Sequence, residues 1–176
     1  NARSALEQGA DFLVITGNPR TGVSGTDIAT AVAEIRRAIG EDPIVLAGKM
    51  HRAGAPGLLV TEEDVDAFIE AGADGVLLPL PGTVPGFGED EVARLARRVH
   101  QVGRVVMGTI GTSQEGSSIY VVESLALAGK RVGADIFHIG DAGLLGMAFP
   151  ENITALSIAV RGRRHTWRRM AASLYR

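Results

Sequence analysis

The stretch "GADFLVITGNP" (residues 9–19) returns twice in altered form, as "GADGVLLPLPG" (72–82) and "GADIFHIGDAG" (133–143). Each copy continues from Gly-Ala-Asp into an apolar run, which is typical of a strand buried on both faces of a parallel sheet. The copies begin 63 and 61 residues apart, which leaves room for two strand–helix units each. A two-unit period is expected of a (β/α)₈ barrel, whose interior layers draw on alternate strands. The repeat therefore favours a barrel over an open doubly wound sheet, and the GxGxxG motif of the latter is absent.

Short apolar runs alternate with helical patterns along the rest of the chain. The predicted strands are residues 11–19, 43–49, 75–82, 104–111 and 136–140, and the predicted helices are residues 24–39, 61–71, 89–102, 118–132, 151–161 and 165–175. Five strands cannot close an eight-stranded barrel, and "ARSALEQGAD" (2–11) has the pattern of a helix already in progress. We therefore expect one α/β domain formed by the C-terminal five βα units of a TIM barrel, with outer helices and a final extra helix. The N-terminal strands would lie outside this chain, and residues 11–17 would form an open sheet edge.

Composition excludes several classes of function. The 176 residues include no cysteine, which rules out disulfides, thiolate metal sites and cysteine nucleophiles. A net charge of −2 predicts no general attraction to nucleic acid or membranes. Neither a signal peptide nor an apolar run of bilayer length is recognisable, so the expected location is the cytoplasm. Sixteen of the eighteen basic residues are arginine, so the two lysines, Lys49 and Lys130, are conspicuous.

The polar residues divide between the two ends of the predicted strands. In a barrel, the C-terminal ends of the strands carry the chemistry and the N-terminal ends carry stability. Asp11, Asp74 and Asp135 begin strands and are therefore interpreted as structural. Four residues that follow strands are candidate substrate-binding residues: Thr16, Asn18, Thr83 and Gln114.

"AGKMH" (47–51) supplies two candidate catalytic residues. Lys49 is expected to point into the barrel mouth, where a lysine can form a Schiff base, act as a base or hold an anionic substrate. The alternative is a structural ion pair with Glu115 or Asp141. His51 can act as a proton shuttle or be a simple loop residue.

"HIGDAG" (138–143) adds an imidazole and a carboxylate to a strand end. His138 and Asp141 are candidate catalytic residues, although a lone histidine in a strand is more often a hydrogen-bonded core residue. Glu115 and Asp141 are candidate Mg²⁺ ligands, because Mg²⁺ needs only one or two carboxylates besides water and substrate oxygens. No dense ligand motif of the kind that binds zinc is present.

Two glycine-rich loops, "GTIGTSQEGS" (108–117) and "HIGDAGLLG" (138–146), follow the last two predicted strands. Barrels often bind phosphate with such loops, whose free N–H groups lie beside a helix N-terminus. The candidate anion-binding residues are Gly111, Thr112, Ser113, Gly140 and Gly143. The alternative is a capped turn without a ligand, in which Thr112 and Glu115 form the capping box.

The tail "RGRRHTWRRMAASLYR" (161–176) contains six of the eighteen basic residues. A basic helix can bind RNA or a membrane surface, but nucleic-acid binding is the less favoured interpretation. Trp167, Met170, Ala171 and Leu174 form an apolar stripe at helical spacing. This stripe is expected to pack on the barrel or on a second subunit, which makes a homo-oligomer the expected assembly.

Six segments carry a resemblance to a known family: "GADFLVITGNPRTGVS", "AGKMH", "GVLLPLPGTVPG", "GTIGTSQEG", "HIGDAG" and "PENITALSIAVRGRRHTWRRMA". Together they resemble an uncharacterised bacterial family of TIM-barrel proteins, whose members are labelled phosphoenolpyruvate-mutase-like barrels or haloacid-dehalogenase-like hydrolases. The resemblance spans essentially the whole chain and implies the barrel fold, but it carries no established reaction. The D-x-D-x-[TV] nucleophile motif of haloacid dehalogenases is absent from the sequence.

The sequence favours an enzyme that acts on a small metabolite bearing phosphate or carboxylate. Lyase or isomerase chemistry next to a carbonyl is the leading class, and a hydrolase on the same barrel is the enzymatic alternative. A ligand-binding or assembly protein with a basic terminal helix is the non-enzymatic alternative. The central expectation is geometric: the side chains of Lys49, Glu115, His138 and Asp141 should converge on one pocket at the C-terminal face of the strands.

Overall fold

A computed structural model describes residues 1–18, 20–111, 113–141 and 146–172. Its five strands are β1 (Phe12–Ile15), β2 (Ile44–Gly48), β3 (Gly75–Pro79), β4 (Val105–Ile110) and β5 (Ile136–Ile139). They form one sheet in sequential order, and all four neighbouring pairs are parallel. Sequential parallel strands with helices between them form a curled part of a TIM barrel, which confirms the predicted fold class. Within the described residues β1 pairs with β2 alone, so the predicted open edge lies at β1.

The helices follow the predicted pattern closely. They are α1 (Ala2–Glu7), α2 (Gly25–Ile39), α3 (Glu62–Glu70), α4 (Glu89–Gln101), α5 (Ile119–Val132) and α6 (Pro150–Ala171). Capping boxes start two of them, with Ser24 and Asp27 at α2 and Thr61 and Asp64 at α3. No described helix is both long and apolar enough to cross a membrane.

Side chains alternate between two faces of the sheet. On the outer face, Val45, Val76 and Val106 pack against helix residues such as Phe68 and Leu95. On the concave face, which corresponds to the barrel interior, a smaller cluster is formed by Leu46, Leu77 and Met107. This alternation decides which residues at the strand ends can reach the barrel mouth.

Two of the three repeated aspartates, Asp74 and Asp135, have the structural role that the sequence predicts. The Asp74 carboxylate accepts a hydrogen bond from the Val45 amide at 2.9 Å, and Asp135 accepts one from Val106 at 2.8 Å. In both cases the aspartate precedes one strand and binds the amide of the preceding neighbour in the sheet. The repeat therefore fixes the relative positions of adjacent strands at the N-terminal face.

Two predicted strand ends differ from the structure by more than one residue: the first and third strands end earlier than predicted, at Ile15 and Pro79. The two predicted terminal helices are confirmed, because α6 is interrupted at Gly162, whose φ of 78° and ψ of 162° are not helical. Trp167 and Met170 are half-exposed, so the described part of the barrel does not cover this stripe. Leu174, the last member of the stripe, lies outside the described residues.

Candidate functional site

A cavity of about 730 Å³ opens where the strands end. Its walls come from the segments that follow β1, β2, β4 and β5, so it occupies the mouth of the partial barrel. The ionisable residues that line it are Arg20, His51, Arg52, Glu115, His138 and Asp141. Three of the four side chains expected to converge, Glu115, His138 and Asp141, are therefore at one cavity.

Glu115 and His138 form the most buried polar part of the wall. Phe137 and Ile139 pack against the outer core, so alternation turns His138 to the concave face. The Glu115 Oε2 and His138 Nδ1 atoms are buried and have no hydrogen-bond partner within the described residues. Burial lowers the pKa of His138, and the negative charge of Glu115 opposes part of that effect. Burial thus favours the neutral imidazole of His138, at a cavity that the Glu115 carboxyl group also lines.

Gly140 makes room for this arrangement. A Cβ atom at Gly140 would lie 3.3 Å from the carboxyl carbon of Glu115, closer than most real Cβ contacts. The Glu115 side chain therefore rests against the bare backbone that follows β5. Gly111 also lines the cavity, so the two predicted glycine loops do share one space. Gly116 is not among the lining residues.

His51 is held by its own loop. Its Nδ1 accepts a hydrogen bond from the Ala53 amide at 3.0 Å, so the neutral ring carries its proton on Nε2. Burial lowers the pKa of His51, which favours this neutral form. The arrangement leaves an Nε2–H group as the potential donor to a ligand.

Arg20 and Arg52 were not identified by the sequence reasoning, although Arg20 lies within a quoted segment and Arg52 directly follows "AGKMH". They line the cavity from the loops after β1 and β2. Arg20 and Ala53 have backbone φ angles of 62° and 54°, which residues other than glycine rarely adopt. The Gly22 amide donates to the Ala53 carbonyl at 2.5 Å and joins the two loops. The abundance of arginine in this chain concealed the signal, namely an arginine in the loop after each of two neighbouring strands.

Lys49 does not join this cavity, contrary to the sequence-based expectation. Side chains alternate along β2 and into Lys49, which directly follows the strand. Val45 and Ala47 pack in the outer core, so Lys49 points to the same side. The Lys49 Nζ atom accordingly donates to Asp64 Oδ2 at 3.2 Å, at the start of α3. The lysine is an ion-paired residue of the outer layer, and its partner is neither Glu115 nor Asp141.

The remaining predicted residues are dispersed. Thr16 directly follows β1, and its Oγ1 atom is buried and has no hydrogen-bond partner within the described residues. Asn18 is exposed. Thr83 is buried, donates to the Leu80 carbonyl at 2.7 Å and lines a separate recess with Gln114. Ser113 is exposed with a φ of 81° and does not line the cavity. Two predicted anion-binding residues, Thr112 and Gly143, lie outside the described residues.

The loop after β4 differs from the predicted helix cap. A 3₁₀ turn, Gln114–Gly116, intervenes, and α5 begins after Ser118 as its N-cap. The first residues of α5 line a small recess with Phe149 and Asn152, apart from the main cavity. The α5 N-terminus is therefore not positioned to bind an anion in the barrel mouth.

The carboxylates provide a sparse set of metal ligands. Asp141 Oδ2 accepts a hydrogen bond from the Gly146 amide at 3.2 Å, and Glu115 Oε2 is unpartnered within the described chain. No group of three or more potential His, Asp or Glu ligands occurs among the described residues. The donor set fits Mg²⁺, which keeps several waters, better than a metal that needs a complete protein cage.

Solved structures with this architecture place the chain in a class of barrel proteins. It is similar to deoxyribose phosphate aldolase from Aeropyrum pernix, with 17% identity, a TM-score of 0.62, and coverage of 90% of this chain and 63% of the aldolase. It is also similar to oxaloacetate acetylhydrolase, with 18% identity, a TM-score of 0.65, and coverage of 91% and 60%. A third match is a candidate phosphonomutase from Burkholderia cenocepacia J2315, with 19% identity, a TM-score of 0.61, and coverage of 90% and 69%.

These similarities define a TIM-barrel fold of the kind found in aldolase, lyase and mutase structures. The chain spans less than two thirds of the length of the aldolase and of the acetylhydrolase. By sequence, the chain belongs to the family described as Domain of unknown function (DUF7916), which matches residues 1–176. No curated protein matches the chain in sequence. The barrel fold that the resemblance implies agrees with these structures, and none of those named supports the haloacid-dehalogenase-like label.

Proposed function

We propose that this chain carries the active site of an enzyme that makes or breaks a bond next to a carbonyl in a small anionic metabolite. A lyase or isomerase reaction fits best. The observation that carries the proposal is the pair of buried, unpartnered atoms, Glu115 Oε2 and His138 Nδ1, at one cavity. An unsatisfied buried polar group costs about 1–3 kcal/mol, so two beside each other in a cavity indicate a ligand-dependent role.

The cavity offers complementary groups for such a reaction. Arg20 and Arg52 supply positive charge for a carboxylate or phosphate group of the substrate. His138, kept neutral by burial, can accept a proton from a carbon next to a carbonyl. The protonated ring is then stabilised by the Glu115 carboxylate. His51 can donate its Nε2–H to the developing oxyanion. Lys49 has no chemical role in this proposal because Asp64 holds its Nζ atom.

Mg²⁺ belongs to the proposal as a candidate cofactor. Glu115 would hold it, with Asp141 as a second ligand, and the ion would polarise the substrate carbonyl. Removing divalent ions with EDTA should then abolish turnover, and added Mg²⁺ should restore it. Activity that persists in EDTA would remove the metal from the proposal while leaving the His138 chemistry intact.

The decisive experiment is an activity assay on a panel of 2-oxo acids, 2-hydroxy acids and their phosphorylated analogues. We expect turnover of at least one compound, and a roughly 100-fold or greater loss of kcat in Glu115→Gln and His138→Asn. Glu70→Gln, an exposed position on α3, is the matched control and should keep wild-type activity. Cleavage of an ester or amide instead would indicate the hydrolase alternative. Tight binding without turnover would indicate a ligand-binding barrel.

Self-association is the last part of the proposal. Its support is the half-exposed apolar pair Trp167 and Met170 on α6. Light scattering on the purified chain should show a homo-oligomer, and Trp167→Lys should shift it toward the monomer. A monomeric wild-type chain would contradict this part alone.

A further inference from the structure

Asn152 is a deeply buried polar side chain close to the proposed site, although it does not line the cavity itself. It lies in the first turn of α6 and is 3% exposed. Its Nδ2 group donates to the Glu115 carbonyl at 2.8 Å and to the Ser117 carbonyl at 3.0 Å. Both N–H bonds of one amide are thus used to hold the loop between β4 and α5.

That loop has little regular structure of its own. Its regular structure, among the described residues between Ile110 and Ile119, is the three-residue 3₁₀ turn, in which the Gly116 amide donates to the Ser113 carbonyl at 3.3 Å. Ser113 has a φ of 81°, a strained value for a residue with a side chain. Such a conformation persists only where the surroundings impose it, and the Asn152 amide supplies an anchor from outside the loop.

The anchor acts on the residue that carries the proposed chemistry. Asn152 holds the main chain of Glu115, and the Glu115 side chain lies against the backbone at Gly140, with its Oε2 atom buried at the cavity that His138 also lines. A shift of the main chain at Glu115 would therefore move the carboxylate away from the imidazole. Nothing else on α6 within the described chain donates a hydrogen bond to this loop.

We propose that Asn152 is a positioning residue that fixes the Glu115 carboxylate beside His138. This proposal rests on the proposed function only for the meaning of the Glu115–His138 pair, because the placement itself can be measured without a substrate. The readout is the pKa of His138, which the charge of Glu115 raises against the effect of burial.

The experiment is a proton NMR titration of the histidines in the full 176-residue chain, with EDTA present throughout so that no divalent ion neutralises the Glu115 charge. The His138 resonance is assigned by its loss in His138→Asn. In Asn152→Leu, which keeps side-chain bulk and removes both donors, we expect the pKa of His138 to fall toward its value in Glu115→Gln. In the double variant Asn152→Leu/Glu115→Gln we expect no further fall, because the charge that Asn152 positions is already absent. Asn152→Ala should behave as Asn152→Leu does.

The control is Thr166→Val in the same helix. Thr166 is also buried, and its hydroxyl pairs with Ser157 at 3.0 Å, remote from the loop in sequence. This variant should leave the pKa of His138 unchanged. An unchanged pKa of His138 in Asn152→Leu overturns the proposal. A fall of this pKa that is as large in the Glu115→Gln background as in the wild-type background overturns it too. Loss of folding in both Asn152 variants while Thr166→Val folds also overturns it, in favour of a purely structural role.

The outcomes separate this proposal from the proposed function. If Asn152→Leu changes the pKa of His138 but Glu115→Gln has no effect on any reaction, the positioning holds and the catalytic interpretation fails. If Glu115→Gln abolishes turnover while Asn152→Leu leaves the pKa and the rate unchanged, the catalytic interpretation holds and the positioning fails.

Discussion

At the scale of single residues, the ion pair of Lys49 with Asp64 is a stability element with no access to the cavity. Both partners are largely buried, with side chains 9% and 18% exposed. Replacing Lys49 by methionine would leave the Asp64 carboxylate without its counter-charge between two helix N-termini. We expect Lys49→Met to lower the free energy of unfolding by about 3 kcal/mol, measured by urea denaturation.

Lys130→Met is the matched control for this prediction, because Lys130 is the other lysine and is exposed. Its substitution removes one exposed hydrogen bond, from the Lys130 Nζ atom to the Val160 carbonyl at 3.0 Å, and should change the free energy of unfolding by no more than about 1 kcal/mol. Equal stability of Lys49→Met and the wild-type chain would show that Asp64 does not depend on the lysine. It would also reopen a chemical role for the amine.

The two cavity histidines predict a pH dependence of stability. Burial lowers the pKa of both His51 and His138 in the folded chain. The unfolded chain therefore binds more protons, so the stabilisation is complete above the unfolded value of about 6.5 and is lost as the pH falls through the folded pKa. Between about pH 7 and pH 5.5, we expect the unfolding free energy to fall less in His138→Gln than in the wild-type chain.

Glu115→Gln should have the opposite effect, because Glu115 raises the pKa of His138 and its loss widens the gap from the unfolded value. The loss of unfolding free energy on acidification should then be steeper than in the wild-type chain. His165→Gln, an exposed position on α6, serves as the control. A wild-type slope in His138→Gln would contradict the burial of this imidazole.

Side-chain direction explains why Lys49 was misplaced by sequence reasoning and His138 was not. The run "PIVLAGK" (43–49) is apolar at every position before the lysine, so it contains no alternation from which the inner face could be inferred. A shift of one residue would exchange Lys49 and Met50 between the barrel mouth and the helix layer. In "IFHI" (136–139) the single polar residue marks the concave face by itself. The sequence thus predicts which residues lie at the end of a strand more securely than it predicts the face of the sheet to which their side chains point.

At the scale of elements, Arg36 joins the end of α2 to the starts of two strands. Its guanidinium donates to the Pro43 carbonyl at 2.6 Å and the Gly72 carbonyl at 2.7 Å, and it pairs with Asp74. The side chain is 6% exposed, so its loss would leave these acceptors without a buried partner. We expect Arg36→Met to cost about 3–5 kcal/mol of unfolding free energy in chemical denaturation.

The neighbouring Arg37 is exposed on the same helix and provides the control. Arg37→Met should be close to neutral, because surface substitutions outside special contacts change stability by about 0.5 kcal/mol or less. A similar cost for both arginines would mean that helix propensity or net charge, and not the buried network, governs the effect.

Helix starts show how far local signals reach. The capping box at Thr61 was readable because "TEED" directly precedes an apolar periodic segment. Before α5, the loop offers Thr112, Ser113, Ser117 and Ser118 as possible N-caps, and local sequence does not rank them. The structure uses Ser118, and the contact that favours the longer loop comes from Asn152, more than thirty residues away. A long-range hydrogen bond of this kind leaves no trace in local spacing.

At the scale of the whole molecule, the sheet formed by the described residues has an unpaired edge at β1, where another strand can pair. Asp74 and Asp135 each bind an amide of the preceding strand in the sheet. Asp11 occupies the same position before β1, whose preceding side is the free edge. We propose that further βα units complete the barrel there, so that these residues form its C-terminal part. The repeat predicts the contacts of Asp74 and Asp135 with the preceding strands, and completion of the barrel beside Asp11 stays a prediction.

The concave face provides the test of that proposal. Phe12 and Val14 are 45% and 38% exposed there, whereas Leu77, in the middle of the same face, is 1% exposed. In the 176-residue chain, Phe12→Thr should therefore cost less than about 1 kcal/mol of unfolding free energy. Leu77→Ala should cost about 2–5 kcal/mol, because it leaves a cavity between Leu46 and Met107. The comparison needs only chemical denaturation of two variants.

The same pair of variants in a longer polypeptide that extends before residue 1 gives the second half of the test. If additional strands cover the concave face, Phe12→Thr should become costly, while the effect of Leu77→Ala should stay nearly the same. A large cost of Phe12→Thr already in the 176-residue chain would mean that a second copy of the chain covers the face. Its dependence on protein concentration would then identify the dimer, since dissociation is coupled to unfolding. A small cost in both polypeptides would leave β1 as a true edge strand and would contradict completion of the barrel at this side.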